Sequence, residues 1–230
     1  MIDRNAIVVV DAYAQIYRGF YAIRNLTDSQ GNPTNALFAI ARFMLWLDTD
    51  YRSDFGAVAF DKGPPEKRLE ILPEYKATRP PMPDELRAQI GPIREWVDAS
   101  GWPLLEQQGF EADDIIAAIA AMRQNHRVYI VSHDKDLAQL VNNEVTQLIP
   151  GKKGAVDELN PAAVEAKFGI PPEALIDYLA LLGDSSDNIP GVSGVGAKTA
   201  AALLQQFGSI DEMLTRTDEI KRTAVREKIE

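Results

Sequence analysis

The sequence predicts an α/β fold with a mostly parallel sheet flanked by helices, followed by a smaller helical region. Three observations lead to the α/β part. Short β-branched runs recur within the first 150 residues, at 7–10, 57–60 and 128–131. These runs are apolar throughout, which favours strands buried on both faces. Helical patterns separate the runs, and such alternation is typical of a sheet with right-handed crossover connections.

Residue spacing predicts the remaining elements. Weaker strand patterns lie at 103–106 and 145–149, and helices are predicted at 35–47, from 84 onward, at 113–122 and at 135–141. After residue 161 only helical patterns follow, at 162–168, 173–182, 198–207 and 209–214. We therefore divide the chain into an α/β body, residues 1–160, and a helical region, residues 161–230.

Composition limits the function classes. The 230 residues include 24 basic and 34 acidic side chains, a formal net charge of −10, and no cysteine, which excludes a disulfide scaffold and a thiolate metal site. No apolar run reaches the ~18 residues of a membrane span and no signal peptide is evident, so we expect a cytoplasmic protein with no membrane partner. The negative charge argues against nucleic acid, because proteins that bind polyanions usually present a basic surface.

Acidic residues follow several of the predicted strands. Asp11, Asp61 and Asp134 come at or just after strand ends, and Asp136 follows two residues later. The carboxyl ends of parallel strands meet at one edge of a sheet, where ligands bind. In the segment 111–114, Glu-Ala-Asp-Asp, the first and last residues would share one face of a first helical turn. A single aspartate at such a position is commonly a helix cap, but caps need not converge on one edge.

A crowded set of carboxylates indicates a cation, because like charges raise one another's pKa values. Oxygen ligands without His or Cys favour Mg²⁺ or Mn²⁺ over zinc, and two such ions roughly 4 Å apart can hydrolyse a phosphodiester. Competing motifs fit less well. Asp134-Lys135-Asp136 lacks the later Gly and Glu of a calcium loop and the Thr of an aspartyl phosphatase. Neither His126 nor His133 has a nucleophile elbow nearby.

Two further segments indicate ligand contact. Residues 62–84 carry six prolines and five basic side chains between a predicted strand and helix, and so long a loop is usually functional or mobile. A solvated surface excursion is the alternative.

Residues 183–200 resemble a P-loop only superficially, because Ala197 separates Gly196 from Lys198. A helix-hairpin-helix is the better interpretation, with Gly194 and Gly196 in a turn whose N–H groups face a phosphate. Such contacts do not discriminate base sequence. A glycine-rich turn between packed helices is the alternative.

Together these motifs resemble the 5′-nuclease (flap endonuclease) family, and especially the N-terminal 5′→3′ exonuclease domains of bacterial DNA polymerase I. The motifs stand in the family's order: Tyr17-Arg18, the arch motif Tyr-Lys-Ala-Thr-Arg-Pro-Pro-Met-Pro at 75–83, the acidic residues above, and Gly-Asp-Ser-Ser-Asp-Asn-Ile-Pro-Gly at 183–191. The resemblance implies a PIN-like body with a helical arch at about 62–96 and a helix-hairpin-helix at about 184–207. It also implies two-metal-ion hydrolysis at 5′ flaps and 5′ ends of duplex DNA, in primer removal and repair.

The resemblance also implies roles for individual residues. The first metal site would comprise Asp11, Asp61, Glu111, Asp113 and Asp114, and the second would be completed by Asp134, Asp136, Asp184 and Asp187. Lys76 and Arg79 would contact the scissile phosphate, Arg18 would hold the same region, and Tyr75 would stack on a base. The duplex contacts would be Gly191, Ser193, Gly194, Gly196, Lys198 and Thr199.

The expected cofactors are two Mg²⁺, with Mn²⁺ able to substitute, and K⁺ at the hairpin. The expected partners are branched, nicked or flapped DNA, an RNA primer in a hybrid, and a polymerase domain in cis or in trans, for a nucleoid-associated monomer. Because the chain ends within a predicted helix near residues 226–230, we expect a shortened helical region.

Two alternatives stay open at this point: a non-catalytic module that binds branched DNA, and a metal-dependent phosphatase or nuclease acting on RNA or small phosphate esters. The net charge no longer argues against DNA. Nine of the 34 acidic residues belong to the predicted metal set, which leaves 25 acidic against 24 basic side chains.

Overall fold

The computed structural model of the protein describes residues 2–151 and 154–229. Its six-stranded sheet contains β1 (Ile7–Asp11), β2 (Phe55–Ala59), β3 (Leu104–Leu105), β4 (Val128–Val131), β5 (Val145–Pro150) and β6 (Val156–Leu159). The strand order is β3-β2-β1-β4-β5-β6, and the pairs β1–β2, β1–β4, β2–β3 and β4–β5 are parallel. The predicted fold class, a mostly parallel sheet with helices and a helical region after it, is confirmed.

The helices separate the strands as the alternating pattern predicts. They are α1 (Ala12–Ala22), α2 (Asn35–Asp50), α3 (Glu66–Ile71), α4 (Asp84–Ala99), α5 (Ala112–Met122), α6 (Pro161–Phe168), α7 (Leu175–Leu182), α8 (Ala197–Phe207), α9 (Ile210–Thr215) and α10 (Thr223–Ile229). Short 3₁₀ turns cover Asp136–Leu140, Pro172–Ala174 and Thr217–Glu219. No helix within the described residues has the length and apolar character needed to cross a membrane.

The chain forms two compact units. The sheet unit comprises the residues up to Lys67, Pro80–Asp134 and Glu144–Glu158, and the helical unit comprises Arg68–Arg79, Lys135–Asn143 and the residues from Leu159 onward. In the sheet unit, apolar side chains of α1, α2 and α4 form one core cluster with the central strands, including Ile16, Met44, Ile93 and Val10. Helix α5 packs against β1 and β2.

A buried glutamine links two helices of the sheet unit. The first turn of α2 receives no side-chain hydrogen bond from its own cap residue, Thr34. Instead, the Gln89 side-chain oxygen, on α4, accepts from the N–H groups of Ala36 and Leu37 at 2.9 and 3.2 Å. The first N–H groups of a helix lack partners within it, so this glutamine caps α2 from a neighbouring element.

The structure adds helix α1, which residue spacing did not predict, and differs from the prediction in three short segments. Strand β6 was not predicted, because it has only two apolar residues. Its exposed Asp157 and Glu158 suit a strand at the edge of a sheet. Helix α3 lies within the predicted loop, where it buries no side chain and follows Pro64-Pro65. The helix predicted at 135–141 is a five-residue 3₁₀ turn, a form typical of such short segments.

In the helical unit, two glycines allow the chain to pass close to itself beside α7. Gly183 has φ +72° and lies directly against Gly191, where a Cβ would be 2.3 Å from the carbonyl carbon of Leu182. Between these glycines, Asp184 and Ile189 exchange two backbone hydrogen bonds of 2.8 Å. The glycines of the 183–191 motif therefore serve this backbone crossing, which a side chain at either position would block.

Candidate functional site

Asp11 is the most buried aspartate at the carboxyl edge of the sheet. It ends β1, caps α1 by accepting from the N–H of Ala14 at 3.1 Å, and is 8% exposed. Its second oxygen accepts from the Ser132 hydroxyl at 2.7 Å. Burial raises the pKa of Asp11 to about 6, and the charges of Asp61 and Asp134 add to the rise against these two hydrogen bonds. The negative charge of Asp11 is therefore costly unless a cation approaches it.

Asp61 lies at the same edge, two residues beyond β2, and contacts the start of α5. Its carboxylate accepts from the N–H of Ala112, the first residue of that helix, at 2.7 Å. The strand register explains the shared edge, since Asp11 pairs with Ala59 and Val10 pairs with Val131. A carboxylate at a helix N-terminus is stabilised by the helix dipole, which fixes Asp61 against α5.

The acidic segment 111–114 forms the first turn of α5. Glu111 is the cap residue and is 4% exposed, and its N–H donates to the Asp114 carboxylate at 3.0 Å. Asp113 is half-buried in the same turn. Glu111 and Asp114 therefore cap the helix, which is the alternative that the sequence left open. The same helical turn also contacts Asp61, whose carboxylate accepts from the N–H of Ala112.

Asp134 is positioned by two polar residues that the sequence analysis did not single out. Its N–H donates to the Ser132 hydroxyl oxygen at 3.0 Å, and its carbonyl accepts from the Gln147 side chain at 2.6 Å. Ser132 and Gln147 are fully buried. Ser132 thus bridges Asp11 and Asp134, which are 123 positions apart. A serine immediately after a strand carries no sequence signal of such a role.

The carboxylate oxygens at this edge of the sheet suit a divalent cation, although the side chains do not form a preassembled metal site. Among the described residues, no three His, Asp or Glu side chains lie close enough together to hold a metal ion. The chemistry of the set nevertheless fits, since it offers carboxylate oxygens alone and raises the pKa of Asp11. In the sheet unit the residues that would hold an ion are Asp11, Asp61, Glu111, Asp113, Asp114 and Asp134.

His133 and Arg18 contact the turn after β5 in the same unit. The His133 Nε2 lies 2.8 Å from the carbonyl oxygen of Pro150, and its Nδ1 lies 3.4 Å from the Gln15 side-chain nitrogen. Partial desolvation lowers the pKa of His133, which favours a neutral, structural ring. Arg18 donates to the carbonyl of Gly151 at 2.6 Å and lines a cavity of about 410 Å³ with Trp46. The role of Arg18 at a phosphate stays a prediction.

In the helical unit, the later aspartates are paired with basic side chains. Lys135 forms an ion pair with Asp184 and lies 3.6 Å from Asp136. Burial alone would raise the pKa of Asp184, but hydrogen bonds from Lys135 and Ser186 outweigh it and lower the pKa to about 2. Asp184 is therefore a fully ionised carboxylate whose charge is met by a residue of the chain.

Asp187 accepts contacts from the predicted arch residues. The Tyr75 hydroxyl donates to it at 3.1 Å, Arg79 forms an ion pair with it, and the Lys76 ammonium lies 3.9 Å away. Tyr75 is 8% exposed, with the Lys76 ammonium 4.9 Å from its ring centre. The structure therefore brings together residues that the resemblance assigned to different tasks. The predicted stacking of Tyr75 on a base would require its ring to become accessible.

The hairpin between α7 and α8 has the turn that its glycines predict. Gly194 has φ +83°, and the N–H of Val195 donates to the carbonyl of Val192 at 3.0 Å. Gly196 caps α8 and has no side chain with which to accept from the first-turn N–H groups. Ser193 and Lys198 are exposed, and Gly191 is exposed at the base of the loop. Arg222, which the sequence analysis did not single out, lies 3.4 Å from the Thr199 hydroxyl.

Two family models together match residues 6–230. Residues 6–169 match the family model described as 5′-3′ exonuclease, N-terminal resolvase-like domain, and residues 170–230 match 5′-3′ exonuclease, C-terminal SAM fold. A 5′-3′ exonuclease of Aquifex aeolicus is 40% identical over 225 residues, covering 96% of this chain and 76% of that one. DNA polymerase I of Bacillus subtilis is 40% identical over 234 residues, but the chain spans only 26% of that protein. The thermostable DNA polymerase I of Thermus thermophilus is 39% identical, with 27% of its length covered.

Solved structures share the fold. A T5 5′-exonuclease with bound zinc ions aligns with TM-score 0.79 at 22% identity, covering 97% of this chain and 83% of that one. The catalytic core of Rad2 in complex with DNA substrate aligns with TM-score 0.67 at 18% identity, covering 95% and 67%. The resemblance inferred from the acidic motifs is thus confirmed by sequence relatives and by fold, and the chain belongs to the 5′-3′ exonuclease family.

Proposed function

We propose that the chain is a structure-specific 5′ nuclease that hydrolyses phosphodiesters at 5′ flaps and 5′ ends of duplex DNA. The observation that carries this proposal is the carboxylate edge of the sheet unit, where burial and neighbouring acidic groups raise the pKa of Asp11 to about 6. The Aquifex aeolicus relative named 5′-3′ exonuclease supports it. So do a T5 flap endonuclease solved with DNA and metal ions and the Rad2 core solved with DNA substrate.

The proposed cofactors are two Mg²⁺ ions, for which Mn²⁺ can substitute. Bound divalent cations supply an easily deprotonated water and positive charge for the leaving oxygen of a phosphodiester. The chain holds its carboxylates ready for them with neutral donors: the Ser132 hydroxyl at Asp11 and the N–H of Ala112 at Asp61. Neutral donors fix a carboxylate without cancelling its charge. The assignment of Asp136, Asp184 and Asp187 to a second ion, and of K⁺ to the hairpin, stays a prediction.

The helical unit would bind the nucleic acid. In this proposal Lys76 and Arg79 neutralise charge at the scissile phosphate, with Arg18 of the sheet unit assisting, and Tyr75 stacks on a base. The hairpin from Gly191 to Thr199 contacts the sugar-phosphate backbone, which suits a nuclease that selects structure rather than sequence. Branched or nicked DNA and RNA primers are the proposed substrates. A polymerase domain, as in the longer relatives, is a proposed partner of a cytoplasmic, nucleoid-associated monomer.

Cleavage assays on matched DNA substrates test this function. Flap, nicked and blunt duplexes are incubated with Mg²⁺, with Mn²⁺ and with chelator, and we expect metal-dependent cleavage of the flap and the nick. Asp113→Ala removes a proposed metal ligand and should reduce the cleavage rate by at least about 100-fold. Loss of a residue that only supports a ligand already costs up to about 100-fold. Asp98→Ala, which removes an exposed carboxylate of α4, serves as the control and should cleave normally.

The other outcomes identify the alternatives. Binding of flap DNA without cleavage in either metal would indicate a non-catalytic module. Activity on a phosphate monoester with none on flap DNA would indicate a phosphatase. Equal flap cleavage by Asp113→Ala and the parent chain would refute the proposed site.

A further inference from the structure

Within the helical unit, side-chain and backbone contacts join two short segments that are more than 100 positions apart. We call residues 74–79 the basic segment and residues 186–188 the aspartate loop. Three side chains of the basic segment converge on one carboxylate, that of Asp187: the Tyr75 hydroxyl at 3.1 Å, the Lys76 ammonium at 3.9 Å and the Arg79 guanidinium. The Asp187 side chain is 13% exposed, so its charge depends on these partners.

Backbone groups join the same two segments. The N–H of Lys76 donates to the carbonyl of Asp187 at 2.9 Å, and the Arg79 Nε donates to the carbonyl of Ser186 at 3.1 Å. The Asn188 side chain donates to the carbonyl of Glu74 at 2.9 Å. The basic segment is therefore held from one end to the other by the aspartate loop.

The backbone of Lys76 has a conformation that needs support from its surroundings. Lys76 has φ +56°, in the left-handed region that a side chain other than glycine rarely adopts. Such a conformation is costly, and it persists where surrounding contacts over-determine it. The hydrogen bond from the Lys76 N–H and the contact of its ammonium with Asp187 contribute to this constraint, together with the hydrogen bond from the Arg79 N–H to the Lys76 carbonyl.

The Arg79 side chain is 49% exposed although it is paired with Asp187. A guanidinium has five N–H donors, so an arginine can bond to a carboxylate and still approach a phosphate. An external phosphate can therefore approach Arg79, and the negative charge of Asp187 weakens the attraction between them.

We propose that Asp187 is a positioning residue for the basic segment: it orders Lys76 and Arg79 before substrate arrives, and a DNA phosphate replaces it as their partner. This inference rests on the proposed function for the identity of the anion, whereas the ordering role needs no DNA. It assigns Asp187 a task distinct from the metal ligation that the family resemblance implies. Removing its charge should loosen the segment and, at the same time, strengthen the binding of DNA.

Hydrogen exchange without DNA tests the ordering role. In chelator, we expect the amides of residues 74–79 to exchange at least about tenfold faster in Asp187→Asn than in the parent chain, a loss of the order of one charged hydrogen bond. Tyr75→Phe removes only one hydroxyl and should give a smaller change in the same amides. Asp211→Asn removes an exposed charge of the same unit and should give none. Unchanged exchange in a folded Asp187→Asn would overturn the inference.

A double-mutant cycle tests the replacement by phosphate. Binding of a 5′-flap oligonucleotide is measured in chelator, so that cleavage does not contribute. Asp187→Asn should tighten binding severalfold more than Asp211→Asn does, and this excess should disappear in a Lys76→Ala/Arg79→Ala background. An equal excess in that background would show a general field effect and overturn the replacement. Because the exchange experiment contains neither DNA nor metal, absence of nuclease activity would leave its result decisive.

Discussion

Asp11 of the sheet unit and Asp184 of the helical unit are held in opposite ways. In the sheet unit, Asp11 accepts from the Ser132 hydroxyl and from a backbone N–H, and burial raises its pKa to about 6. In the helical unit, Asp184 pairs with Lys135, and its pKa falls to about 2. Neutral donors leave a carboxylate charge available to an external cation, whereas an internal ammonium satisfies it. The comparison separates a carboxylate whose charge is left for an external cation from one whose charge is met within the chain.

The largest effect on cleavage is expected from substitution of Asp11. Asp11→Asn should reduce metal-dependent cleavage by at least about 100-fold, since it removes a proposed ligand. The same variant should stabilise the metal-free chain at pH 8 by up to about 3 kcal/mol, because the raised pKa of Asp11, about 6 instead of 3.8, means that its ionised form destabilises the folded state. The folded pKa lies above the ordinary value of 3.8, so this gain should grow as pH rises from about 4 to about 6.

Urea unfolding in chelator at pH 4 and at pH 8 measures this difference, with Asp98→Asn as the control at an exposed position. If Asp11→Asn destabilises the chain equally at both pH values, Asp11 is an ordinary helix cap. The contrast between Asp11 and Asp184 then does not hold.

A second prediction concerns Mg²⁺ itself. An ion that binds only the folded state should raise the free energy of unfolding by about 2.7 kcal/mol at 100 times its dissociation constant. The gain should be largely lost in Asp11→Asn but retained in Asp184→Asn if the ion of the sheet unit dominates. Thermal unfolding across a Mg²⁺ series gives both values. A gain lost only in Asp184→Asn would reverse the roles that we assign to the two units.

The acidic positions were predictable from sequence, whereas their partners were not. Asp11 and Asp61 follow apolar runs, and parallel strands bring such positions to one edge, so local pattern and topology suffice. Ser132 and Gln147 are ordinary polar residues locally, and their importance arises only from long-range hydrogen bonds to Asp11 and Asp134. The pairing of Arg79 with Asp187, 108 positions away, likewise depends on tertiary structure. Residue type and spacing therefore predict where charge accumulates but not how it is compensated.

Ser132 offers a test of intermediate size. Ser132→Ala removes the donor to Asp11 and the acceptor of the Asp134 N–H, both in a buried position. We expect a loss of about 1–3 kcal/mol in the free energy of unfolding, the usual cost of leaving buried polar groups without a partner. The pKa of Asp11 should rise further, because the hydrogen bond from Ser132 opposes its increase. The carboxyl stretching band of Asp11, followed by infrared titration against Asp11→Asn, measures that shift. An unchanged titration would show that Ser132 does not tune the site.

The smallest effect is expected at Asp184, and its pH dependence has the opposite sign to that of Asp11. Asp184→Asn should cost about 1 kcal/mol at pH 7, because Lys135 is 41% exposed and solvent weakens the pair. The folded pKa of Asp184 is lowered from 3.8 to about 2, so its stabilising contribution is present above about pH 4 and is lost as pH falls toward 2. Unfolding curves at pH 7 and pH 3, with Asp211→Asn as the control, determine the sign. Stabilisation by Asp184→Asn at pH 7 would show that the ionised form of Asp184, like that of Asp11, destabilises the folded chain. The contrast between the two carboxylates would then not hold.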